Sequence, residues 1–454
     1  MFVLVGLSGC SLIVPSPDEF TYDGEPDAGA SDGGARDAGS DVDAGDRDAG
    51  PMSDAGPDAG CTGTEMLCSG SCVDTQTSVE HCGRCDAACE TGWECRDGDC
   101  FDPVIDVSSG PTHSCARRAS GQVICWGYNA QGQIGDGSVI TRPTPVEAPL
   151  PMGSEQVVAG GFSFSSGNGF TCSRDRTGTS TCWGAQSGMM PLIRSLTPTA
   201  FTILSPATHL DLGDGIGCGI LASGRLNCWG TLSFDMAVSE PTDISPSGLS
   251  GSWVATVDVG VRHMCATSRD GRVFCMGDNS LGQLGQDPAS LAEATTLVEV
   301  AGLTDAEEVA VSGAATCVRR TGGRVSCWGA ENMLGIGSGA SVAHPAPVDV
   351  PGVTDAQSVV GAAGIGTATC ALRADDTLTC WGYDFRVPIT GDTAAPDPYT
   401  LPGAADVSQF SVGTGYMCLV HREGTANCIG RNFWGTLGDG TTTDSERLVQ
   451  VALP

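Results

Sequence analysis

Apolar residues in this chain occur in short runs between glycine-rich turns, and seven of these runs share one frame. The stretch HSCARRASGQVICWGYNAQGQIGDG, residues 113–137, shows the frame most fully. Two cysteines lie ten positions apart, a glycine follows the first by six positions, and Trp-Gly follows the second directly. Two short apolar segments around a glycine-containing turn are typical of a β-hairpin.

The hairpin frame recurs along the whole C-terminal part of the chain. The first cysteines of successive copies are separated by 57, 46, 47, 52, 53 and 48 residues. A period near 50 with short strands is typical of a β-propeller that has one four-stranded blade per repeat. The 65 glycines and the low charged content of 17% also favour an all-β protein rich in turns. We therefore predict an all-β, seven-bladed propeller over residues 101–454.

The spacing of the cysteines indicates that each hairpin carries a disulfide bond. A three-residue loop that ends in a left-handed glycine places the two cysteines opposite each other, with their Cα atoms about 4.5 Å apart. That separation lies within the range that a disulfide spans. Free, packed thiols are the alternative. The predicted disulfides are Cys115–Cys125, Cys172–Cys182, Cys218–Cys228, Cys265–Cys275, Cys317–Cys327, Cys370–Cys380 and Cys418–Cys428.

Bulky side chains follow the second cysteine at a fixed strand position. Five repeats have tryptophan there, and the other two have Met276 and Ile429. Such residues most simply fill the space between blades, although stacking on a ligand is an alternative. His113 and His263, two positions before their cysteines, are interpreted as structural and not as catalytic.

The repeats resemble a known family. His113-Ser-Cys, the Gly-x-Val turn, Trp126-Gly127 and the run GYNAQGQIGDG are similar to the regulator of chromosome condensation repeat, as are RDGRVFCMGDNSLGQLG and GRNFWGTLGDG in repeats four and seven. The resemblance implies a seven-bladed propeller. Repeats two, three and six lack the Gly-Gln-Leu-Gly element, and the cysteine pairs depart from the eukaryotic pattern.

Residues 61–100 form a separate cysteine-rich segment, predicted to be held by disulfides in place of an apolar core. Eight cysteines allow 105 pairings, and the sequence does not choose among them. Zinc binding at Cys82-Gly-Arg-Cys85 is an alternative. The run from Cys68 to Cys100 resembles the stigma-specific cysteine-rich module, which implies a binding or spacer role without enzyme activity. The eight cysteines are Cys61, Cys68, Cys72, Cys82, Cys85, Cys89, Cys95 and Cys100.

The N-terminal 60 residues are predicted to be a signal and a tether. Leu7-Ser8-Gly9-Cys10 resembles a bacterial lipobox, which implies that residues 1–9 are a signal peptide and that Cys10 is lipidated. No basic residue precedes the short apolar run, so the true start is expected upstream. Residues 10–60 are then a lipid anchor and linker. Residues 17–60 contain Asp-Ala-Gly six times and carry a net charge of −11, which predicts a disordered, extended tether.

Charge and cysteine content narrow the classes of function. A net charge of −32 argues against nucleic acids and anionic membrane surfaces as partners. Apart from Cys10, the 23 cysteines divide into even groups of eight and fourteen, as expected of an exported, disulfide-bonded protein. The sequence has no nucleophile elbow, His-Glu zinc motif or paired-carboxylate signature. We therefore predict a protein without enzyme activity, metal or cofactor.

These observations together predict a monomeric cell-envelope lipoprotein, anchored in the outer membrane or at the cell surface. Its propeller is expected to bind an extracellular protein or glycan through loops on one face. Phe385, Arg386, Phe433 and Trp434 are the candidate contact residues. A structural envelope component is the main alternative. A propeller-type β-lactamase inhibitor and, by analogy of fold alone, a guanine-nucleotide exchange factor are weaker ones.

Overall fold

The computed structural model describes residues 61–150, 153–161, 169–185, 194–201, 204–233, 236–246, 253–362, 368–383 and 394–454. Cys10, the acidic tether, and the candidate contacts Phe385 and Arg386 lie outside the described residues.

The predicted fold class is confirmed: seven four-stranded antiparallel sheets follow one another along the chain as blades. Each blade is built from one continuous stretch of sequence. Blades 1 to 3 comprise β5 to β8 (Val104–Ser109, His113–Arg118, Val123–Gly127, Arg142–Glu147), β9 to β12 (Ser154–Gly161, Gly169–Asp175, Ser180–Ala185, Arg194–Ala200) and β13 to β16 (Ala207–Leu212, Ile216–Leu221, Leu226–Ser233, Met236–Asp243). Blades 4 and 5 comprise β17 to β20 (Val254–Val259, His263–Ser268, Val273–Asp278, Glu293–Glu299) and β21 to β24 (Ala306–Ser312, Ala315–Arg320, Val325–Ala330, Ala343–Asp349). Blades 6 and 7 comprise β25 to β28 (Ala356–Gly361, Thr369–Arg373, Leu378–Tyr383, Ala394–Thr400) and β29 to β32 (Val407–Val412, Tyr416–His421, Ala426–Gly430, Ser445–Gln450).

Helix is nearly absent from the described part of the chain. A single 3-10 turn, Glu331–Met333, separates β23 from β24. None of the helical structure in the described residues is long and apolar enough to cross a membrane.

The position of each strand, from the propeller axis to its outer edge, agrees with how apolar its side chains are. The first strands of neighbouring blades contact one another around the propeller axis, and β29 and β30 of blade 7 contact β5 of blade 1, which closes the propeller. Second and third strands are largely buried between neighbouring blades. Fourth strands form the outer edge, and several carry proline, as in RPTPVE of β8 and AHPAPVD of β24. Proline and exposed charge on an edge strand discourage pairing with another chain.

The inner edge of each blade is hydrogen-bonded to its neighbour through side chains. At the seam between blades 3 and 4, a carboxylate oxygen of Asp211 accepts a hydrogen bond from the Val259 N–H at 2.6 Å. Within the described residues, equivalent bonds occur at six seams: Ser108 with Ala159, Gln156 with Leu210, Asp211 with Val259, Asp258 with Val311, Glu308 with Val359, and Ser411 with Ser109. Backbone N–H groups at the inner edge of each of these blades thus find a hydrogen-bond acceptor, although the neighbouring sheets remain separate.

Two of these carboxyl groups, Asp211 and Asp258, also interact electrostatically with each other. Burial and the neighbouring Asp258 charge raise the pKa of Asp211 well above its usual range. Burial also raises the pKa of Asp258 to about 6. Burial and a neighbouring negative charge both oppose ionisation, so Asp211 is the carboxyl group of the pair that is harder to ionise.

The antiparallel topology separates the loops onto two faces of the propeller. Loops that join the first strand to the second, or the third to the fourth, lie on one face, which we call the loop face. Loops that join the second strand to the third, and the connections between blades, lie on the opposite face, the module face.

The cysteine-rich segment contains two short hairpins and four disulfides. Its strands are β1 (Glu65–Cys68) with β2 (Ser71–Asp74), and β3 (Glu94–Arg96) with β4 (Asp99–Phe101). The pairing that the sequence left open is Cys61–Cys72, Cys68–Cys85, Cys82–Cys95 and Cys89–Cys100. Cys82 and Cys85 therefore belong to different disulfides. The sulfurs of Cys82, Cys89 and Cys100 lie within 4.8 Å of one another, but all are oxidised and none is a thiolate able to hold zinc.

Candidate binding surface

The cysteine pairs form the centre of each blade. Each pair joins directly opposed residues of the second and third strands, as with Cys115 and Cys125, and all fourteen sulfurs form the predicted disulfides. Their Cα atoms lie 4.0 to 4.1 Å apart, closer than the separation predicted from strand geometry. The loop residue six positions after the first cysteine is left-handed, at φ 86° for Gly121 and 61° for Asp376. Asp376 thus substitutes for glycine in a conformation that few other side chains tolerate.

His113 and His263 belong to joints between blades. The Nε2 of His113 lies 2.8 Å from the Thr171 hydroxyl of the next blade, and that hydroxyl donates to the Gln133 carbonyl at 2.8 Å. The Trp183 Nε1 donates to the same carbonyl at 2.9 Å. The joint therefore links a histidine and a loop of one blade to a threonine and a tryptophan of the next.

The seam between blades 4 and 5 repeats this joint. His263 Nε2 lies 2.9 Å from the Thr316 hydroxyl, which donates to the Gln283 carbonyl at 2.8 Å, and Trp328 Nε1 donates to that carbonyl at 3.0 Å. Burial lowers the pKa of His113 to about 3 and of His263 to about 4. Both rings are buried and neutral, which agrees with a structural role.

Because His263 is neutral when folded and titrates near its ordinary pKa of about 6.5 when unfolded, acid should destabilise the protein through it. Its contribution is complete above pH 6.5 and is lost as the pH falls toward 4. The His263→Gln variant, which keeps a nitrogen donor for Thr316, should be less sensitive to acid. Between pH 7 and pH 4.5 we expect the wild type to lose roughly 2–3 kcal/mol more unfolding free energy than the variant. Urea unfolding at the two pH values measures the difference, and equal losses would contradict the assignment.

The closing seam between blades 7 and 1 uses different side chains. The buried Tyr416 hydroxyl lies 2.9 Å from the carbonyl oxygens of Gly110 and His113 and 3.0 Å from the Ser114 hydroxyl. Trp126 Nε1 donates to the Thr436 carbonyl at 2.8 Å. A loop of blade 7 thus packs directly over blade 1.

The cysteine-rich module contacts the module face at this same seam. The Arg96 guanidinium donates to the Glu423 carbonyl in the β30–β31 loop of blade 7. Directly after the module, Asp102 accepts hydrogen bonds from the Ser120 N–H at 3.0 Å and hydroxyl at 2.6 Å, in the β6–β7 loop of blade 1. The module therefore contacts the propeller on the side opposite the loop face.

Three loops of the loop face share one internal scaffold. Asn129, Asn279 and Asn432 are fully buried, and the Oδ1 of each accepts a hydrogen bond from the N–H five residues later, at 3.0, 2.9 and 2.9 Å. These asparagines occur in blades 1, 4 and 7, whereas blade 5 has Glu331 at the equivalent position. The residues directly after each asparagine face solvent and differ: Ala130-Gln131, Ser280-Leu281 and Phe433-Trp434.

Phe433 and Trp434 project from the loop face. Phe433 is 71% exposed and Trp434 is 38% exposed. The Trp434 ring lies 4.5 Å, between centroids, from both Phe433 and Tyr128, and Tyr128 belongs to blade 1. The sequence indicated the first two residues as candidate contacts, but it did not indicate Tyr128, which supports them across the seam. We call Tyr128, Phe433 and Trp434 the aromatic cluster.

Other exposed apolar side chains lie mainly on the same face. In the described part of the propeller, the large exposed apolar residues are Ile105, Val139, Ile140, Leu196, Val342, Phe433 and Trp434. All except Ile105 belong to third-to-fourth-strand connections or to the start of a fourth strand. The exposed apolar residues of the loop face therefore come from blades 1, 2, 5 and 7.

Comparison with known proteins supports the same repeat architecture. The family model described as the regulator of chromosome condensation (RCC1) repeat matches residues 104–133, 254–283 and 120–172. The human E3 ubiquitin-protein ligase HERC2 is 26% identical over 217 residues, which cover 43% of this chain but only 4% of that protein. The chain thus spans a small fraction of HERC2. The ultraviolet-B receptor UVR8 of Arabidopsis thaliana is 24% identical over 358 residues, which cover 75% of this chain and 80% of that protein.

Among solved structures, Prp20p of Saccharomyces cerevisiae, described with its binding to Gsp1p and histones, superposes with a TM-score of 0.60 at 18% identity. The superposition covers 77% of this chain and 86% of that one. The matched segments are therefore similar to RCC1 repeats, and the chain folds into a seven-bladed propeller.

Proposed function

We propose that this protein is an exported, lipid-anchored binding scaffold that presents the loop face of its propeller to a partner outside the cell. The observation that carries the proposal is the opposition of the two faces. The module contacts the module face, whereas most exposed apolar residues of the propeller and the aromatic cluster lie on the loop face. The module covers part of one face and leaves the loop face open for binding.

Eleven disulfides support the exported location in this proposal. Seven lie within propeller blades and four within the module, so all 22 cysteines from Cys61 to Cys428 are paired. Disulfides of this number persist in oxidising compartments and not in a reducing cytosol. With the lipobox resemblance at Cys10, they favour a lipoprotein of the cell envelope.

Prp20p has the same fold and binds Gsp1p and histones, but a shared fold alone does not transfer partners. The net charge of −32 opposes binding to chromatin. From the likeness to Prp20p we propose only that this propeller binds a protein and does not catalyse a reaction.

Affinity capture from surface extracts, with the full chain as bait, tests the proposal. The matched control is a chain in which Ala130, Phe433 and Trp434 are replaced by serine, the residue that already follows Asn279, because the buried scaffold of those loops remains intact. We expect a partner that the wild type retains and the control does not. Equal retention by both chains would remove the loop face from the proposal.

Deletion of the gene separates the binding scaffold from a structural envelope component. A scaffold should be dispensable for resistance to detergent and osmotic shock, whereas loss of a structural component should weaken both. Mass spectrometry of the N-terminal peptide from the membrane fraction tests lipidation of Cys10, and an unmodified cysteine there would contradict the anchor.

A further inference from the structure

The loops after Asn129, Asn279 and Asn432 provide an internal comparison within one molecule. In each, the carbonyl oxygen of the asparagine accepts a hydrogen bond from the glycine three residues later, at 2.9, 3.0 and 2.8 Å. The backbone framework is therefore the same, although the two residues after the asparagine differ. Blades 1 and 4 have no aromatic residue there, but blade 7 has Phe433 and Trp434. Folding of the loop does not require these aromatic residues, because the other two loops form without them.

The aromatic cluster holds Phe433 in a defined position. Phe433 meets Trp434 at an interplanar angle of 82°, and Trp434 meets Tyr128 at 56°. The first contact is edge-to-face, an arrangement that is favourable for aromatic pairs, and the second is tilted. Trp434 is thus packed between two neighbours, while Phe433 remains 71% exposed. A projecting aromatic ring that is fixed before binding loses little conformational freedom on binding, which is the property of an interface anchor.

The polar groups near the cluster distinguish a protein partner from a glycan. Recognition of a sugar requires free hydrogen-bonding groups beside the aromatic ring, to bind hydroxyls. Here the Asn432 N–H donates to Asp444 at 2.7 Å, and the Asn432 side-chain amide donates to Asp439 at 3.1 Å. These groups hold the loop together and are not free to bind hydroxyls, and Arg431 alone could not bind the several hydroxyls of a sugar. A ring as exposed as Phe433 becomes buried only in a pocket that surrounds it.

Arg431 adds a positive charge to the same loop, two positions before Phe433 in the sequence. Its side chain is exposed, and it forms no ion pair with any residue in the described ranges. In a chain with a net charge of −32, such an arginine beside an aromatic anchor favours a partner with a carboxylate at the matching position.

We propose that Phe433, supported by Trp434 and Tyr128, is the anchor by which the loop face binds a protein whose apolar pocket has a carboxylate on its rim, opposite Arg431. The proposal rests on the function as a binding scaffold and identifies the class of partner. Phe433 enters the pocket, and Trp434 and Tyr128 keep its ring from folding back onto the propeller.

Photo-crosslinking from the anchor tests the proposal in the cells that produce the protein. p-Benzoylphenylalanine at position 433 keeps an aromatic ring there, and the same residue at position 130 is the matched control in blade 1. We expect one discrete protein adduct from position 433 and none from position 130. Excess wild-type full chain should compete for the adduct, whereas the Phe433→Ala chain should not.

Titration of the crosslinked protein, identified and purified, then measures the anchor. Phe433→Ala should weaken binding by about 30-fold or more, as for other hot-spot residues, and Arg431→Ala should weaken it less. Ser280→Ala, at the equivalent position of blade 4, should leave the affinity within about twofold. Unchanged thermal unfolding of the variants shows that they remain folded.

Several outcomes would overturn the proposal, and they differ in meaning. A polydisperse adduct sensitive to glycosidases would show that the partner is a glycan. An adduct to residues 10–60 of the same chain would show that the anchor contacts the acidic tether. Equal affinity of Phe433→Ala and wild type would exclude the anchor while leaving the scaffold function in place. Failure of the wild type to retain any partner would reject both.

Discussion

Replacing Trp328 with alanine should lower the free energy of unfolding by roughly 3–5 kcal/mol, the usual loss for a buried tryptophan. Trp328 is fully buried at the seam between blades 4 and 5, where it packs in one cluster with Cys265, Leu284 and Val311. Its Nε1 also satisfies the Gln283 carbonyl. The substitution removes both the apolar contacts and the hydrogen bond, so equilibrium urea unfolding should show a clearly lower midpoint.

The Trp328→Phe variant separates the two contributions. Phenylalanine keeps much of the apolar volume but leaves the Gln283 carbonyl without this donor, which should cost about 1–2 kcal/mol. Met276 and Ile429 occupy the equivalent position in two other blades, so the site accepts apolar side chains without a donor. A loss below about 1 kcal/mol for Trp328→Ala would show that the seam does not depend on this side chain.

Removing one blade disulfide, through Cys265→Ala with Cys275→Ala, should destabilise the protein by about 3 kcal/mol. The bond closes a hairpin with a sequence separation of 10 residues, and its main effect is to restrict the unfolded chain. Alanine at both sites fits the buried space and leaves no free thiol. Thermal or urea unfolding under oxidising conditions measures the loss.

Unfolding of the reduced proteins serves as the control for this prediction. Once dithiothreitol has reduced every disulfide, the wild type and the double variant should have similar stability, because the constraint that distinguishes them is gone. A double variant as stable as the oxidised wild type would show that the hairpin is already restricted in the unfolded state.

The sequence predicted the features that depend on near neighbours in the chain. Gly121 and its equivalents determine the hairpin loop, and the loop determines which residues oppose each other, so the Cys115–Cys125 pairing followed from spacing. Repetition at a constant period then predicted the propeller. The eight module cysteines lacked such a frame, and their pairing became clear only from the fold.

Contacts across seams could not be predicted in the same way. His113 and Thr171 lie 58 residues apart, and no local pattern connects them. Likewise, Phe433 was a candidate from its type and loop, but its support by Tyr128 arises only when blade 7 closes against blade 1. The seam bonds of Asp211 and Asp258 did have a signal in the sequence. Each is an aspartate between apolar residues of a first strand, in HLDLG and TVDVG.

Because every blade is a continuous segment and every propeller disulfide lies within one blade, no covalent bond ties one blade to another except the chain itself. A pulling force applied between the tether and a bound partner would therefore fall on the seams. The contacts of Trp328, Tyr416 and the inner-edge side chains bear that load, while each disulfide-closed hairpin cannot be stretched. Under tension the molecule should lengthen in steps of one blade, and each step should leave a cross-linked hairpin from which the blade can refold.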